Sequence, residues 1–254
     1  ASLLFMVSAI VIYFEKQKAA QLQTSESIKP EKTPHVIIML SKIAPSEKYE
    51  EFKKMIHEIK ETPDFFQQNL PKLATYKSEN RLSEIEKDYK PLAPFFKFIL
   101  TSQLYPPVAA ILHHYEKLDR IWILVTDEAK QTTLPVFEEI LKRLFNGKNY
   151  ETIRIKDPDD VNSVSRAVDG IYIEAETTYG MKEYEVTTDI TGGTAAMTAG
   201  GILACVRSMR RVQYLRQSDY MLRSIDVTVR SIPRLFDELI EQLEVIRSNK
   251  KEGK

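Results

Sequence analysis

The stretch from Glu185 to Ser208 constrains this chain more than any other. Tyr184 to Thr188 (YEVTT) has a strand's composition and leads through Asp189 and Ile190 into the polar turn Thr191-Gly192-Gly193-Thr194. A helix begins near Thr194 and is rich in small residues: Ala195, Ala196, Ala199, Gly200, Gly201 and Ala204. Glycines at such a turn admit unusual backbone angles and the close approach of a ligand. The amides of the first helical turn point at whatever sits there, and the helix dipole favours an anion. Thr191 and Thr194 add hydroxyls, and Gly200 and Gly201 let the helix lie close to a sheet or to a twin helix of a second subunit. The turn is not a nucleoside-triphosphate P-loop, because no Gly-Lys-Ser/Thr follows, and Gly-x-Gly-x-x-Gly is absent too. A glycine-rich connection serving only close packing is the competing interpretation.

The rest of the chain alternates strands and helices. His35 to Leu40 (HVIIML) and Arg120 to Thr126 (RIWILVT) are continuous apolar runs, as expected of strands buried on both faces. Glu151 to Lys156 (ETIRIK) alternates and belongs nearer an edge; Arg211 to Leu215 is a fifth strand and Ile225 to Val229 a sixth. Helices are expected over Pro107–Lys117, over Leu134–Phe145 with Pro135 opening it and Gly147 closing it, and from Pro158 to about Gly180 with Asp157 as its cap. An amphipathic helix over Pro233–Ser248 ends the chain. The fold class is α/β, a Rossmann-like, mainly parallel sheet. A helical insertion at about 42–105 departs from the minimal pattern, with helices near Lys48–Lys60, Leu82–Tyr89 and Pro94–Leu104.

Lysine plus arginine balances aspartate plus glutamate at 36 each, which argues against a general nucleic-acid coat but not against one small anionic ligand. Cys205 is the only cysteine, so no intramolecular disulfide can form, and a small buried helix residue is its simplest role. His113 and His114 are adjacent on a helix and cannot both face one metal; they are expected to be solvated or packed, and no metal site is expected. Trp122 is expected in the core.

Leu3 to Phe14 (LLFMVSAIVIYF) is apolar but for Ser8, and Lys16 and Lys18 come soon after it. With no initiating methionine before it, residues 1–14 are expected to be part of a single transmembrane helix. The lysines would place the folded part of the chain in the cytoplasm, at the inner membrane. A signal-peptide remnant and a buried helix of a soluble domain are the alternatives. Residues 15–33 read as a helical and polar linker, and 34–254 as the folded domain.

The segment EVTTDITGGTAAMTAGGILA closely resembles the second signature of CARF domains, CRISPR-associated Rossmann folds that sense cyclic oligoadenylates. Asp189, Thr191, Gly192, Gly193, Thr194 and Met197 carry the match, and Ala195 stands where the family usually has lysine. IWILVTDEA and HVIIML with Ser41 extend the resemblance, which covers roughly Pro34 to Val229 with the long insertion as the departure. It implies a ligand lying across the two-fold axis of a homodimer, over the carboxyl ends of the strands. The contacts it implies are Ser41 and Lys42, Thr126 and Asp127, the 191 to 194 turn, and Arg216 and Gln217. Asp189 suits fixing the turn better than touching phosphate.

The resemblance further implies no cofactor or catalytic residue, only a ligand, with cyclic tetra-adenylate the first choice of ring. Joined to the apolar N-terminal run, it suggests a sensor that acts on the lipid bilayer in type III CRISPR antiviral defence. Pore formation or depolarisation would require a tetramer or larger assembly, since one helix per chain cannot enclose a channel. A ring nuclease that cuts its own ligand and a soluble regulator are the alternatives; replacement of the lysine by Ala195 weighs against the first.

Overall fold

The computed structural model describes residues 29–43, 47–58, 63–79, 81–145, 148–206, 209–216 and 219–225. The expected transmembrane segment 1–14, the helix Pro233–Ser248, Gly147 and Gln217 lie outside them. Among the described residues no single helix is long and apolar enough to cross a membrane.

Six strands form one sheet: β1 (His35–Leu40), β2 (Arg120–Val125), β3 (Asn149–Arg154), β4 (Val186–Asp189), β5 (Arg211–Arg216) and β6 (Met221–Ile225). Their order is β3-β2-β1-β4-β5-β6. The first five run parallel, and β6 returns antiparallel to β5. This is the doubly wound Rossmann order, whose direction of winding reverses between β1 and β4. The alternating strand β3 does sit at an edge. The sixth strand lies earlier than expected, at Met221–Ile225, because Tyr220 takes a left-handed φ of 55° and turns the chain into a hairpin. Of the expected Ile225–Val229, only Ile225 is described.

Strand alternation divides the core. Val36, Ile38 and Leu40 of β1 face one cluster; Ile37 and Met39 face the other. The second face is covered by α7 (Val161–Tyr179) and α8 (Ala195–Cys205). The first is covered by α6 (Asp127–Leu144), α5 (Tyr105–His114) and the insertion. Within the insertion run α1 (Glu47–Glu58), α2 (Pro63–Ser78), a 3-10 turn at Leu82–Glu84, the short α3 (Ile85–Asp88) and α4 (Ala93–Thr101). Helix α2 had no counterpart in the sequence expectations. Phe52 stacks on Phe95 at 5.1 Å between ring centroids, and Phe66 meets Phe95 and Phe96 edge-on at 5.9 Å to each. The aromatic run from Pro94 to Leu100 thus packs inside the protein.

Two helix starts differ from expectation. Helix α6 begins at Asp127 rather than Leu134: the Thr126 hydroxyl accepts the Ala129 amide at 3.1 Å, and Asp127 and Glu128 favour the first turn. Pro135 therefore lies inside the helix, tolerated because it and Gln131, whose carbonyl its ring would crowd, are both exposed. Helix α7 is capped by Asp160, which accepts the amides of Asn162 and Ser163 at 3.0 and 3.1 Å. Asp157 instead makes a local turn with the Asp159 amide at 3.2 Å. Gly180, at φ 66°, ends α7 as a left-handed cap.

Residues 29–33 are docked on the domain. His113 bonds the Pro30 carbonyl at 2.9 Å, Lys32 pairs with Glu116 at 2.5 Å, Arg211 pairs with Glu31, and Thr33 is buried.

Candidate functional site

The carboxyl ends of β1 and β4 lie side by side where the winding reverses, and in open α/β sheets ligands bind at that crevice. The turn at 191–194 occupies the β4 side. Its glycines are required by space rather than by backbone angle. A Cβ on Gly192 would lie 2.0 Å from the Met39 carbonyl oxygen, and one on Gly193 would lie 2.8 Å from Met39 Sδ and from Met197 Cβ. Among the described glycines only Gly180 has a positive φ. The turn thus rests on the last residues of β1, and the Ser41 hydroxyl, just beyond that strand, donates to the Gly192 carbonyl.

Helix α8 starts from this platform. The Thr194 hydroxyl accepts the Met197 amide at 3.3 Å, and the Ala195 and Ala196 amides belong to the first turn, which has no carbonyl partner within the helix. Gly200 and Gly201 bring the helix in on two sides: a Cβ on the first would meet Val161 and Val164 of α7, one on the second Met39 and Ile190. Met197 is fully buried, so its side chain belongs to the packing beneath the turn.

Behind the turn runs a buried polar chain. Asp189 accepts the Thr191 amide at 2.9 Å and the Gln213 side-chain amide at 3.0 Å. The Gln213 side-chain oxygen lies 2.9 Å from His114 Nε2, and His114 Nδ1 accepts the Thr33 amide at 2.8 Å. A backbone N–H can only donate, so Nδ1 is the acceptor and Nε2 carries the proton. Thr33 also reaches the Thr187 hydroxyl at 2.9 Å. Burial pushes the Asp189 carboxyl up to about 6, although the bonds from Thr191 and Gln213 work to lower it. Burial likewise pulls His114 down to about 4. The Thr191 hydroxyl accepts the Leu215 amide at 2.7 Å, tying the turn to β5. Asp189 and Thr191 therefore shape the turn.

The remaining expected contacts occupy the rim. Lys42 is half exposed and 3.3 Å from Glu128. The Thr126 hydroxyl is engaged in capping α6, and Asp127 holds Arg154 through both carboxylate oxygens at 2.5 Å. Arg216, at the end of β5, pairs with Asp219. Ser41, Lys42 and the 191–194 turn follow β1 and β4, which flank the reversal; Thr126 and Asp127 follow β2 and Arg216 ends β5, each one strand farther out on opposite sides. His114, Gln213 and Thr33 were not anticipated as parts of the site's support. A glutamine between Val212 and Leu215 in a strand expected to be buried was the available signal, since a buried amide requires a partner. Among the described residues no group of three or more His, Cys, Asp or Glu could hold a metal ion.

No family model matches the chain, and no curated protein matches it. Among solved structures it is similar to a type III CRISPR defence DNA nuclease activated by cyclic oligoadenylate. That match has 16% identity over 80% of this chain and 22% of the other, at a TM-score of 0.38. It is also similar to Can2 from Sulfobacillus thermosulfidooxidans in complex with cyclic tetra-adenylate, at 14% identity over 48% of this chain and 34% of that one, TM-score 0.35. The chain thus spans about a fifth to a third of those proteins.

Proposed function

We propose that this chain is a sensor that binds a cyclic oligoadenylate over the carboxyl ends of β1, β4 and β5. The observation that carries the proposal is the Thr191-Gly192-Gly193-Thr194 turn, seated on β1 at the reversal of winding with the first turn of α8 opening from it. Such a turn offers backbone amides to phosphates without needing net positive charge, in keeping with a chain whose charges balance. The specific ligand comes from the resemblance of EVTTDITGGTAAMTAGGILA to the sensor signature, with cyclic tetra-adenylate the first ring to test. A homodimer that places two such turns across a two-fold axis would match the symmetry of an even-numbered ring.

The signal would pass to the N-terminal segment, which enters the domain at the docked residues 29–33. The apolar run Leu3–Phe14 supports an output at the inner membrane, with the domain on the cytoplasmic side and several helices acting together on the bilayer.

Calorimetric titration with cyclic tetra-adenylate, of wild type and Gly192→Glu, tests the ligand. The expected result is about one ring per two chains, abolished by the substitution. No binding of either the tetramer or the hexamer ring would sink the sensor assignment. Fractionation of the full-length chain and ring-dependent leakage from liposomes test the membrane output separately.

A further inference from the structure

The buried polar relay behind the turn has a direction. The Thr33 amide donates to His114 Nδ1, His114 Nε2 donates to the Gln213 side-chain oxygen, and the Gln213 side-chain amide donates to Asp189. From the other side the Thr191 amide donates to Asp189. Both ends are backbone N–H groups, which can only donate, so Asp189 accepts from both directions. The relay thus joins the ligand turn to residues 29–33, which His113 and Glu116 of the same region also hold on the domain.

We propose that this relay is a two-state proton switch: an anion at the 191–194 turn drives a proton onto Asp189, which reverses the relay and releases the Thr33 amide. The inference rests on the sensor reading above and supplies the link from its ligand to its N-terminal segment.

The two states follow from the donors and acceptors. A protonated Asp189 presents O–H where Gln213 now presents N–H, so the Gln213 side chain must turn over and accept. Its amide then faces His114 Nε2, which must become the acceptor, and the ring proton passes to Nδ1 by exchange with solvent. The net change is uptake of a proton from solvent, with no bond between heavy atoms made or broken. The new Nδ1–H can bond the Thr33 hydroxyl, 3.2 Å away, but the Thr33 amide has lost its acceptor. Thr33, His114, Gln213 and Asp189 are all buried, so water does not replace that acceptor unless the segment lifts. The orientation of the Gln213 amide is the bistable element that both ends bias.

The carboxyl is placed to respond. Burial raises Asp189 to about 6, opposed only by its bonds to Thr191 and Gln213; no charged side chain among the described residues contributes. A phosphate at the turn disfavours the carboxylate further, since like charges repel and a buried pair is poorly screened. His114 does not take the proton instead, because burial first, then His113 and Lys32, oppose a second proton on its ring.

Hydrogen exchange of the Thr33 amide, taken relative to the Ile123 amide in the centre of β2, reads the switch in the full-length chain. A relay with a purely structural role would speed both amides alike when perturbed; the switch speeds Thr33 alone. Asp189→Asn puts N–H where the protonated acid puts O–H, and should speed Thr33 roughly tenfold with no ligand present. In wild type the ratio should rise as pH falls through about 6, the value of the carboxyl, rather than about 4, that of His114. Cyclic tetra-adenylate should give the same rise at neutral pH. Calorimetry in two buffers of different protonation enthalpy should then show uptake approaching about one proton per chain. Gln213→Leu, saturated with the ring, should show no response at Thr33. If Asp189→Asn leaves the ratio at the wild-type value, the switch falls. Should that variant not fold, the pH profile decides, and a ratio flat between about pH 7.5 and 5 overturns the switch. If the ring binds without proton uptake, or without changing Thr33, the switch falls and the sensor stands. If no ring binds, the sensor falls, and the ligand-free measurements alone decide whether the relay reverses.

Discussion

Gly192→Ala probes the turn with a single methyl group. Its Cβ would lie 2.0 Å from the Met39 carbonyl oxygen, whereas ordinary contact begins near 3.4 Å, so the two must separate by about 1.4 Å. The obstacle is buried backbone near the carboxyl end of the central strand β1, where no rotamer change can relieve it. Lifting the turn would also break the Ser41 bond to the Gly192 carbonyl. Overpacking of this kind costs roughly 1–3 kcal/mol and a lost hydrogen bond about 1, giving about 2–4 kcal/mol. For a domain of this size that corresponds to a melting temperature lower by roughly 5–15 °C. Gly170→Ala is the control: it is exposed within α7, a Cβ there meets nothing within 4 Å, and helix propensity should raise stability by about 0.5–1 kcal/mol. Differential scanning calorimetry of both variants is the assay. A Gly192→Ala protein that melts within about a degree of wild type would refute the claim that the turn is seated on β1.

Asp189→Asn should destabilise despite being isosteric, by about 1–3 kcal/mol in urea titration at pH 7, because an amide opposite the Gln213 amide reverses the chain and ends in two donors facing each other at Thr33. The same chain makes opposing pH signatures. Asp189, raised to about 6, adds stability that is fully present below its unfolded value of 3.8 and is lost as pH rises through 6. His114, lowered to about 4, adds stability present above 6.5 and lost as pH falls through 4. Asp189→Asn should therefore unmask a loss of stability between about pH 6.5 and 4 in melting curves, which wild type largely compensates. Pro135→Ala should raise stability by up to about 3 kcal/mol, since α6 continues through that exposed position; no change would mean the helix is broken there. Cyclic tetra-adenylate incubated with the protein should be recovered intact by chromatography, as Ala195 supplies no proton donor and Asp189 is buried; linear products would favour the ring nuclease.

Much of the architecture was legible in the residues. Val36–Leu40 and Ile121–Val125 are apolar throughout because both faces of a central parallel strand are covered, and ETIRIK alternates because an edge strand is not. The turn at 191–194 was legible because a strand, two glycines and a hydroxyl cap are local signals that need no distant partner. Helix starts were less so: Pro135 looked like a beginning, but Thr126, Asp127 and Glu128 supplied a better one eight residues earlier.

What the sequence determined by itself is the alternation of strands and helices around the sheet and the strand-turn-helix of β4, the 191–194 turn and α8, since both arise from periodicity and backbone chemistry within a few residues. Tertiary structure alone decided why Gly192 must be glycine, since the obstructing atom is the carbonyl of Met39, far away in the chain. It alone joined Thr33, His114, Gln213 and Asp189 into one hydrogen-bonded chain. Hydrogen bonds and ion pairs depend on distances of a few ångströms between residues up to 180 positions apart, and no local pattern encodes such distances.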